Sequence, residues 1–403
     1  MRIAYLCADH GIPLDGTKGG SAHVRGLVRA LCRSGHQVRV LATSPGAADR
    51  LAGAAVLPIA TSGVVGFLAH CEDVRVGRAL RHVLGNDAAY DRLTTELARW
   101  PADVVYERYS PFGFAGGAAA ADLGIPHVLE VNASLAEEGA RYRGQALQDA
   151  SRTLEDLAFR SSSLVLPVSR DLRRQVIGRG VDAQRVVVVP NGVDGELFTP
   201  AGPRALAELE PRCVVGFVGS LKPWHGIELL VDAFRRVASD PRFHLLVIGD
   251  GPRAKLIRSV ADELPGRVTW LQAVPHERMP EHLRAIDIAV APYPALERFY
   301  FSPLKVLEYM ATGRAIVASR IGDIPELLED GALGMLVEPG EPEALAAALQ
   351  RLGNNARWRA SLGTRAAYAA HNRHLWMHRA AEIARLVDQV VRDDTRAVGG
   401  ATA

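Results

Sequence analysis

The stretch CVVGFVGSLKPWHGIELLVDAF, Cys213 to Phe234, decides the fold. Its opening, CVVGFVGS, is apolar on both faces, as a parallel strand covered by helices must be. Its end, GIELLVDAF, spaces its apolar residues for one face of a helix. A strand, a glycine-bearing turn and a helix in that order open a βαβ unit. The unit stands midway along a 403-residue chain, directly after NGVDGELFTPAGPRALAELEP (191–211). That Gly- and Pro-rich stretch reads as a linker, so an α/β pattern restarts near residue 192.

Upstream of the linker the same rhythm runs once already. Strands are expected at RIAYLCA (2–8), QVRVLAT (37–43), AAVLPIA (54–60), DVVYERY (103–109), PHVLEVN (126–132), SLVLPVS (163–169) and RVVVVPN (185–191). Helical periodicity marks residues 21–35 and 149–162. Downstream, strands are expected at 213–220, HLLVIGD (244–250), VTWLQA (268–273), IDIAVAPY (286–293), AIVAS (315–319) and GMLVEP (334–339). Helices are expected at 226–238, 252–264, 279–286, 302–312 and 324–331. One long helix, HLWMHRAAEIARLVDQVVRDD (374–394), follows, and TRAVGGATA (395–403) reads as a frayed end. Right-handed βαβ units in sequence imply two doubly wound α/β domains. Two domains also suit the length, at roughly 100–200 residues each.

Composition narrows the function classes. Lys plus Arg number 47 and Asp plus Glu 45, a formal net charge of +2. So even a balance makes no case for nucleic acid or a polybasic membrane surface. The four cysteines, Cys7, Cys32, Cys71 and Cys213, fall in no CxxC or Cys/His cluster and read as reduced thiols of a cytoplasmic protein. The N-terminus begins at once on a strand, without a secretory pattern, and no apolar run approaches the roughly 20 residues of a membrane helix. SGVVGFLAH (62–70) is an apolar patch expected to be buried, with peripheral membrane contact left open.

Ligands of open α/β sheets sit beyond the carboxyl ends of the strands, which directs attention to three loops. GTKGGSAHVRGLVRAL (16–31) follows the first strand; Gly19 and Gly20 let backbone approach a ligand, and Ser21 can cap the next helix. It is not GxGxxG, and no acidic residue follows the second strand at dinucleotide-binding spacing. In GSLKPWHGIELLVDAF (219–234), Lys222 and His225 flank Trp224 at the start of a helix that opens at Gly226. Two cations there oppose the helix dipole, a conflict that a bound phosphate relieves. In FYFSPLKVLEYMATG (299–313), Ser302-Pro303 reads as an N-cap and first turn. Lys305 and Glu308 share one face of an otherwise apolar helix. A carboxylate on a buried helix needs partners, and paired hydroxyls of a ribose or sugar are suitable ones.

Four motifs in order give the chain a family likeness: the Gly19-Gly20 loop, VSRDLRRQVIGRGVDAQRVVVVPNGVDGELF, GSLKPWHGIELLVDAF with LLVIGDGP, and FSPLKVLEYMATGRAIVASRIGDIPEL. Together they resemble the retaining nucleotide-sugar glycosyltransferases of family 4, over roughly residues 1–395. The likeness implies the GT-B fold, two facing Rossmann-like domains with a cleft between them and a C-terminal crossover helix. Residues 1–192 would form the acceptor-binding domain, with the helix at about 376–395 packing back on it, and 193–375 the nucleotide-sugar domain. Glu308 would bind the ribose hydroxyls. Backbone around Ser302, Pro303, Leu304 and Lys305 would meet the donor phosphates or sugar, with Gly19, Gly20, Ser220, Gly226 and Gly249 nearby. Val274 would border the base.

Three departures from the family pattern stand out. Its usual Arg and Lys of the phosphate loop are replaced by Ser220 and His225, with Lys222 between them. The first glutamate of its E-x7-E pattern falls on Tyr300, and Glu297 lies three residues too early. Asn132 stands where a site histidine is common. Lys222, His225 and Lys305 are therefore the expected source of phosphate charge, and Asn132, Lys222 and His225 the expected catalytic residues. Glu107, Arg108, Asn132 and Glu138 are the candidates for the acceptor pocket. The expected reaction moves a sugar from a nucleotide-diphosphate sugar to a sugar, natural-product or lipid-linked acceptor. No metal or other cofactor is expected, since the chain has no Asp-x-Asp. A GT-B sugar phosphorylase, a nucleotide-sugar epimerase and a catalytically weak nucleotide-sugar-binding protein remain open alternatives.

Overall fold

The computed structural model describes residues 1–403 except 48, 61, 62 and 401–403, and only the backbone of 64, 69 and 393–400. The chain forms two compact units. The first takes Met1–Asn191, Tyr300–Ser302 and the chain from Met377; the second takes Gly192–Phe299 and Pro303–Trp376.

The first unit is built on β1 Arg2–Cys7, β2 Gln37–Ala42, β3 Arg50–Leu51, β4 Ala54–Pro58, β5 Val104–Arg108, β6 His127–Val131 and β7 Leu164–Pro167. Their order is β3-β4-β2-β1-β5-β6-β7, parallel except for the two-residue β3, which pairs antiparallel with β4. Chain order reverses between β1 and β5, the place where such sheets open toward a ligand. Leu6, Leu41 and Val105 join Leu93, Leu97 and Ala119 in one apolar cluster. Leu129, Val131 and Val165 join Phe159, Leu172 and Val176 in another.

Two expectations fail in this unit. RVVVVPN (185–191) is not a full strand: it runs beside β7 through a single bridge at Val186 and the N–H groups of Val187 and Val189. The 26-residue helix Val74–Arg99, capped by Asp73 accepting from the Arg75 amide, falls where no element was expected. Its buried positions include Gly77, Ala79, Asn86 and Ala89, which are small or polar, so its apolar stripe is faint in the sequence.

The second unit carries β8 Cys213–Val218, β9 Phe243–Ile248, β10 Val268–Leu271, β11 Ile288–Ala291, β12 Ala315–Ser319 and β13 Met335–Val337. All are parallel, in the order β10-β9-β8-β11-β12-β13, with the reversal between β8 and β11. Val215, Phe217, Leu245, Val290 and Val317 of the sheet pack with Leu230, Phe234, Ile257 and Leu349 of the helices. IPELLEDG (324–331) yields only the short helix Ile324–Leu327.

The terminal helix Trp376–Gly400 buries Ala380, Ile383, Leu386 and Val387. No helix among the described residues is long and apolar enough to cross a membrane. Of the apolar patch 62–70, Ser62 lies outside the described residues, Val65 is buried and Phe67 is 73% exposed. The patch is thus only partly taken into a core.

Candidate functional site

In the second unit the loops that leave β8 and β9 lie against one another. Gly219 and Gly249 have φ of +143° and +134°, outside the comfortable range of other residues. A Cβ on Gly249 would stand 2.1 Å from the Gly219 carbonyl oxygen. The Leu221 amide donates to the Asp250 carbonyl at 3.0 Å, and the Arg253 amide to the Leu221 carbonyl at 3.0 Å. Gly249 thus fixes the loop of Gly219 and Ser220 by close approach of backbone. Gly226 opens the helix Ile227–Val237, as its position implied, at φ +68°. A Cβ there would stand 1.6 Å from the Pro292 carbonyl oxygen, so the loop after β11 closes over this turn.

The helix carrying Lys305 and Glu308 runs from Leu304 to Ala311. Ser302 is not its cap. Pro303 holds that position without a side-chain bond, while the Ser302 hydroxyl accepts from the Asn191 amide at 3.0 Å. The Ser302 carbonyl accepts from Asn191 Nδ2 at 2.9 Å. Pro303 has no N–H to offer a ligand, which leaves the first-turn amides of Leu304 and Lys305 without intrahelical acceptors.

Lys305 Nζ is buried without a hydrogen-bond partner. It lies over the Phe217 ring at 4.1 Å and the Tyr293 ring at 5.6 Å from the centroids. A Cβ on Gly219 would meet it at 2.9 Å. Burial pushes its pKa down to about 7, against the opposing pull of Glu308. His225 sits against the same rings, 6.2 Å from Phe217 and 6.1 Å from Tyr293. Burial, then the charge of Lys305, lowers its pKa to about 3. Its Nδ1 donates to the Ser220 carbonyl. The expected cation at His225 is therefore corrected: burial and the Lys305 charge disfavour the charged ring in the free protein. Lys222 Nζ rests 5.8 Å above Trp224.

Glu308 is half-buried and pairs with His276 Nε2 at 3.3 Å. His276, in the loop after β10 close to the half-buried Val274, was not foreseen. Its ring stacks edgewise on Phe198 at 5.2 Å. A histidine two residues past Val274 in the same loop is the signal that sequence reading could have used.

In the first unit the carboxyl ends of β1, β5 and β6 surround Glu130, which sequence reading missed. Glu130 accepts from Tyr106 Oη at 2.7 Å, from Arg108 Nη1 at 2.8 Å and from Asn132 Nδ2. His23 Nε2, from the helix Gly19–Arg33, lies 2.8 Å from its Oε1. Burial works to raise the Glu130 pKa, but His23 and Arg108 outweigh it and hold the carboxyl well below the usual range. His23 Nδ1 lies 2.8 Å from Asn191 Oδ1, so both ring nitrogens lie against oxygens. A polar chain runs Glu130–His23–Asn191–Ser302. A lone glutamate inside HVLEV (127–131), otherwise without charge, was the clue to its need for partners.

The remaining candidates separate. Arg108 is buried on Glu130, and Asn132 is half-buried beside it. Glu107 points the other way, because successive strand residues face opposite sides. It is 1% exposed, its Oε2 lies 3.1 Å from His127 Nε2, and a Cβ on Gly116 would touch it. The acceptor role expected of Glu107 is corrected accordingly: it is an internal group of the first unit. Glu138 is bonded to Arg143 and to Tyr300, whose ring packs on the Tyr109–Phe159 cluster. Gly19 and Gly20 begin their helix, but Lys18 is its cap and Ser21 lies buried within it, contrary to expectation. A Cβ on Gly20 would stand 3.8 Å from Arg108 Nη2. Among the described residues no group of three His, Cys, Asp or Glu is placed to hold a metal.

Comparison with known proteins identifies the family and the fold. Residues 212–355 match the group 1 glycosyl transferases and residues 17–197 match glycosyltransferase family 4. The chain is 32% identical over 275 residues to the alpha-maltose-1-phosphate synthase of Mycolicibacterium smegmatis, covering 63% of this chain and 69% of that one. It is 31% identical over 268 residues to the D-inositol 3-phosphate glycosyltransferase of Geodermatophilus obscurus, covering 62% of this chain and 58% of that protein's length. The solved structure of Anabaena HepE in complex with UDP-glucose superposes with a TM-score of 0.72 at 22% identity, over 96% of this chain and all of that one. The chain belongs to glycosyltransferase family 4 and has the GT-B fold, each unit a Rossmann-like domain.

Proposed function

We propose that this family 4 member transfers a sugar from a nucleoside-diphosphate sugar to a hydroxyl acceptor, with retention at the anomeric carbon and without a metal ion. The observation that carries the reading is Lys305: a buried ammonium with no hydrogen-bond partner, against Gly219 and beside the neutral His225. A cation held in that state is complementary to an anion that arrives later. The diphosphate of a donor supplies one, and the first-turn amides of Leu304 and Lys305 add two donors. Glu308, released from His276, would accept from the two ribose hydroxyls, with Val274 beside the base.

In the reaction the acceptor oxygen bonds to the anomeric carbon as the bond from that carbon to the diphosphate oxygen breaks. The acceptor proton passes to the departing phosphate on the same face. The protein then needs no nucleophile of its own: it positions the partners and stabilises charge on the leaving diphosphate. Lys305 and Lys222 take that charge, so chelators are expected to leave turnover intact. Arg108 and Asn132, ordered by Glu130, together with Glu138, are the residues through which an acceptor would be held. The HepE complex contains UDP-glucose, and two relatives are named for sugar-phosphate and inositol-phosphate chemistry, which supports this donor and acceptor class. Four unpaired cysteines suit a reducing, cytoplasmic setting.

Calorimetry with UDP, GDP, ADP and TDP tests the reading. One of them should bind the wild-type protein and lose at least about tenfold in affinity in Lys305→Ala, the cost of a charge-assisted hydrogen bond. Binding that survives Lys305→Ala unchanged would overturn the assignment. Retention is read from the anomeric proton coupling of the product.

A further inference from the structure

The second unit has a cavity of about 420 Å³ at the amino ends of β11 and β12, the edge of the sheet opposite to the loops that hold Lys305. A five-residue strand separates the two edges by roughly 16 Å. Asp287, Arg314 and Thr364 line the cavity together with Arg359, and Pro200 and Ala360 supply apolar wall. Arg314 is fixed: its Nε donates to the Thr312 carbonyl at 2.9 Å, and its Nη1 to the Arg284 and Ile286 carbonyls at 3.2 and 3.1 Å. Those bonds leave Nη2 free of hydrogen bonds among the described residues. Arg359 is fixed in the same manner, through Nη1 on the Gly353 carbonyl at 2.9 Å.

Positive charge is crowded here. Arg284 is 9% exposed and donates to the Pro203 and Thr199 carbonyls, and Arg204 donates to the Ala285 carbonyl. Burial lowers the Arg314 pKa, Asp287 opposes that, and Arg204 and Arg284 add to the lowering. Asp287 is the one carboxylate of the lining, and its Oδ2 is already tied to the Val214 amide at 2.8 Å. Two preset guanidinium groups suit a phosphate: Arg359 keeps Nε and Nη2 as a fork, and Arg314 adds Nη2. The second Asp287 oxygen can accept from the hydroxyls of a polyol, and so can the Thr364 hydroxyl, which donates its own proton to the Ala360 carbonyl at 2.9 Å. The volume falls in the range of small-molecule sites, about 300–1,000 Å³.

We propose that this cavity is a second ligand site, separate from the donor loops, that takes a phosphorylated sugar or polyol: phosphate on Arg314 and Arg359, hydroxyls on Asp287 and Thr364.

The test is calorimetry on the full chain with glucose 6-phosphate, inorganic phosphate and glucose, no nucleotide present. Glucose 6-phosphate should bind at least about tenfold more tightly than either fragment. Ala360→Glu places a carboxylate at an exposed wall position of the helix Ala356–Arg373 without touching a hydrogen bond, and should weaken binding by at least about tenfold. Arg359→Gln should do the same. The nucleoside diphosphate found for the donor site should bind Ala360→Glu as it binds the wild-type protein, which shows that the variant folds. Lys305→Ala should leave glucose 6-phosphate binding unchanged. No binding of any of the three probes at millimolar concentration overturns the proposal. So does binding lost in Lys305→Ala but kept in Ala360→Glu, which would place the sugar phosphate at the donor loops. Inorganic phosphate binding as tightly as glucose 6-phosphate overturns the sugar part. A failed nucleotide experiment leaves these outcomes readable, since no arm that detects the sugar phosphate depends on a donor.

Discussion

Lys305 Nζ lies 4.1 Å from the centre of the Phe217 ring, buried and without a hydrogen-bond partner. Its pKa of about 7 compares with about 10.4 for an unfolded lysine. Between these values the unfolded chain holds a proton that the folded chain lacks, so this group's contribution to stability rises with pH across that window. Below pH 7 the charged form is buried and the full penalty applies. Lys305→Met is therefore expected to raise the melting temperature more at pH 6.5 than at pH 9.5. Equal shifts at both would count against the assignment.

The same lysine links donor binding to a proton. An anion raises its pKa, so a bound nucleoside diphosphate keeps it charged above pH 7. Affinity should stay level just below pH 7 and fall above it, by at most tenfold per unit. Calorimetry in two buffers of different ionisation enthalpy at pH 8 should show close to one proton taken up, and none in Lys305→Met.

Glu308 gives a readout at the ribose. Loss of hydrogen bonds to a charged group costs about 1.5–3 kcal/mol. Donors lacking the 2′- or 3′-hydroxyl should bind the wild-type protein about 10- to 100-fold more weakly. Glu308→Ala should bind all three donors alike. A variant that still prefers the full ribose would remove Glu308 from this role.

Gly226 has no room for a side chain. Its φ of +68° costs other residues about 1–2 kcal/mol, and the Pro292 carbonyl oxygen blocks a Cβ outright. Gly226→Ala should lower the melting temperature by at least about 4 °C and displace the turn of Lys222 and His225. Thermal melting checks the first effect and donor KM the second.

Glu130 balances Arg108 and His23 inside the first unit. Glu130→Gln leaves buried positive charge uncompensated, at a cost of about 3 kcal/mol. With its folded pKa held low, the stability Glu130 contributes is present above the unfolded value of about 4.3 and is lost as pH falls below it. The variant should melt well below the wild type at pH 7, and the gap should narrow toward pH 3.

Local chemistry made the strands legible: runs apolar on both faces became β1, β8 and β12 almost to the residue. The helix start at Gly226 was legible for the same reason. The caps were not. Ser302 and Ser21 have the right chemistry, but Ser302 is claimed by Asn191, 111 positions away, and Ser21 is turned inside its helix. The site in the second unit was half legible. Lys305 and Glu308 stood out, while the neutrality of His225 depends on burial against Phe217 and Tyr293, which no local pattern encodes. Beyond that lone glutamate the Glu130 cluster was hidden, because it gathers residues 23, 106, 108, 130 and 132 from two strand ends and a helix. Strand alternation alone did forbid placing Glu107 and Arg108 in one pocket, and that signal went unused.

A Cβ on Gly249 would run into the Gly219 carbonyl, so one loop sets the space of the other, and this makes the two positions one unit of inheritance. Gly219→Ala and Gly249→Ala should not add: a Cβ on Gly219 presses on Lys305 and shifts its own loop, and Gly249→Ala then finds its obstacle, the Gly219 carbonyl, already displaced. A library that varies one loop while holding the other will be dominated by inactive members. Donor preference in this chain is therefore best altered by exchanging both loops together, as a single cassette.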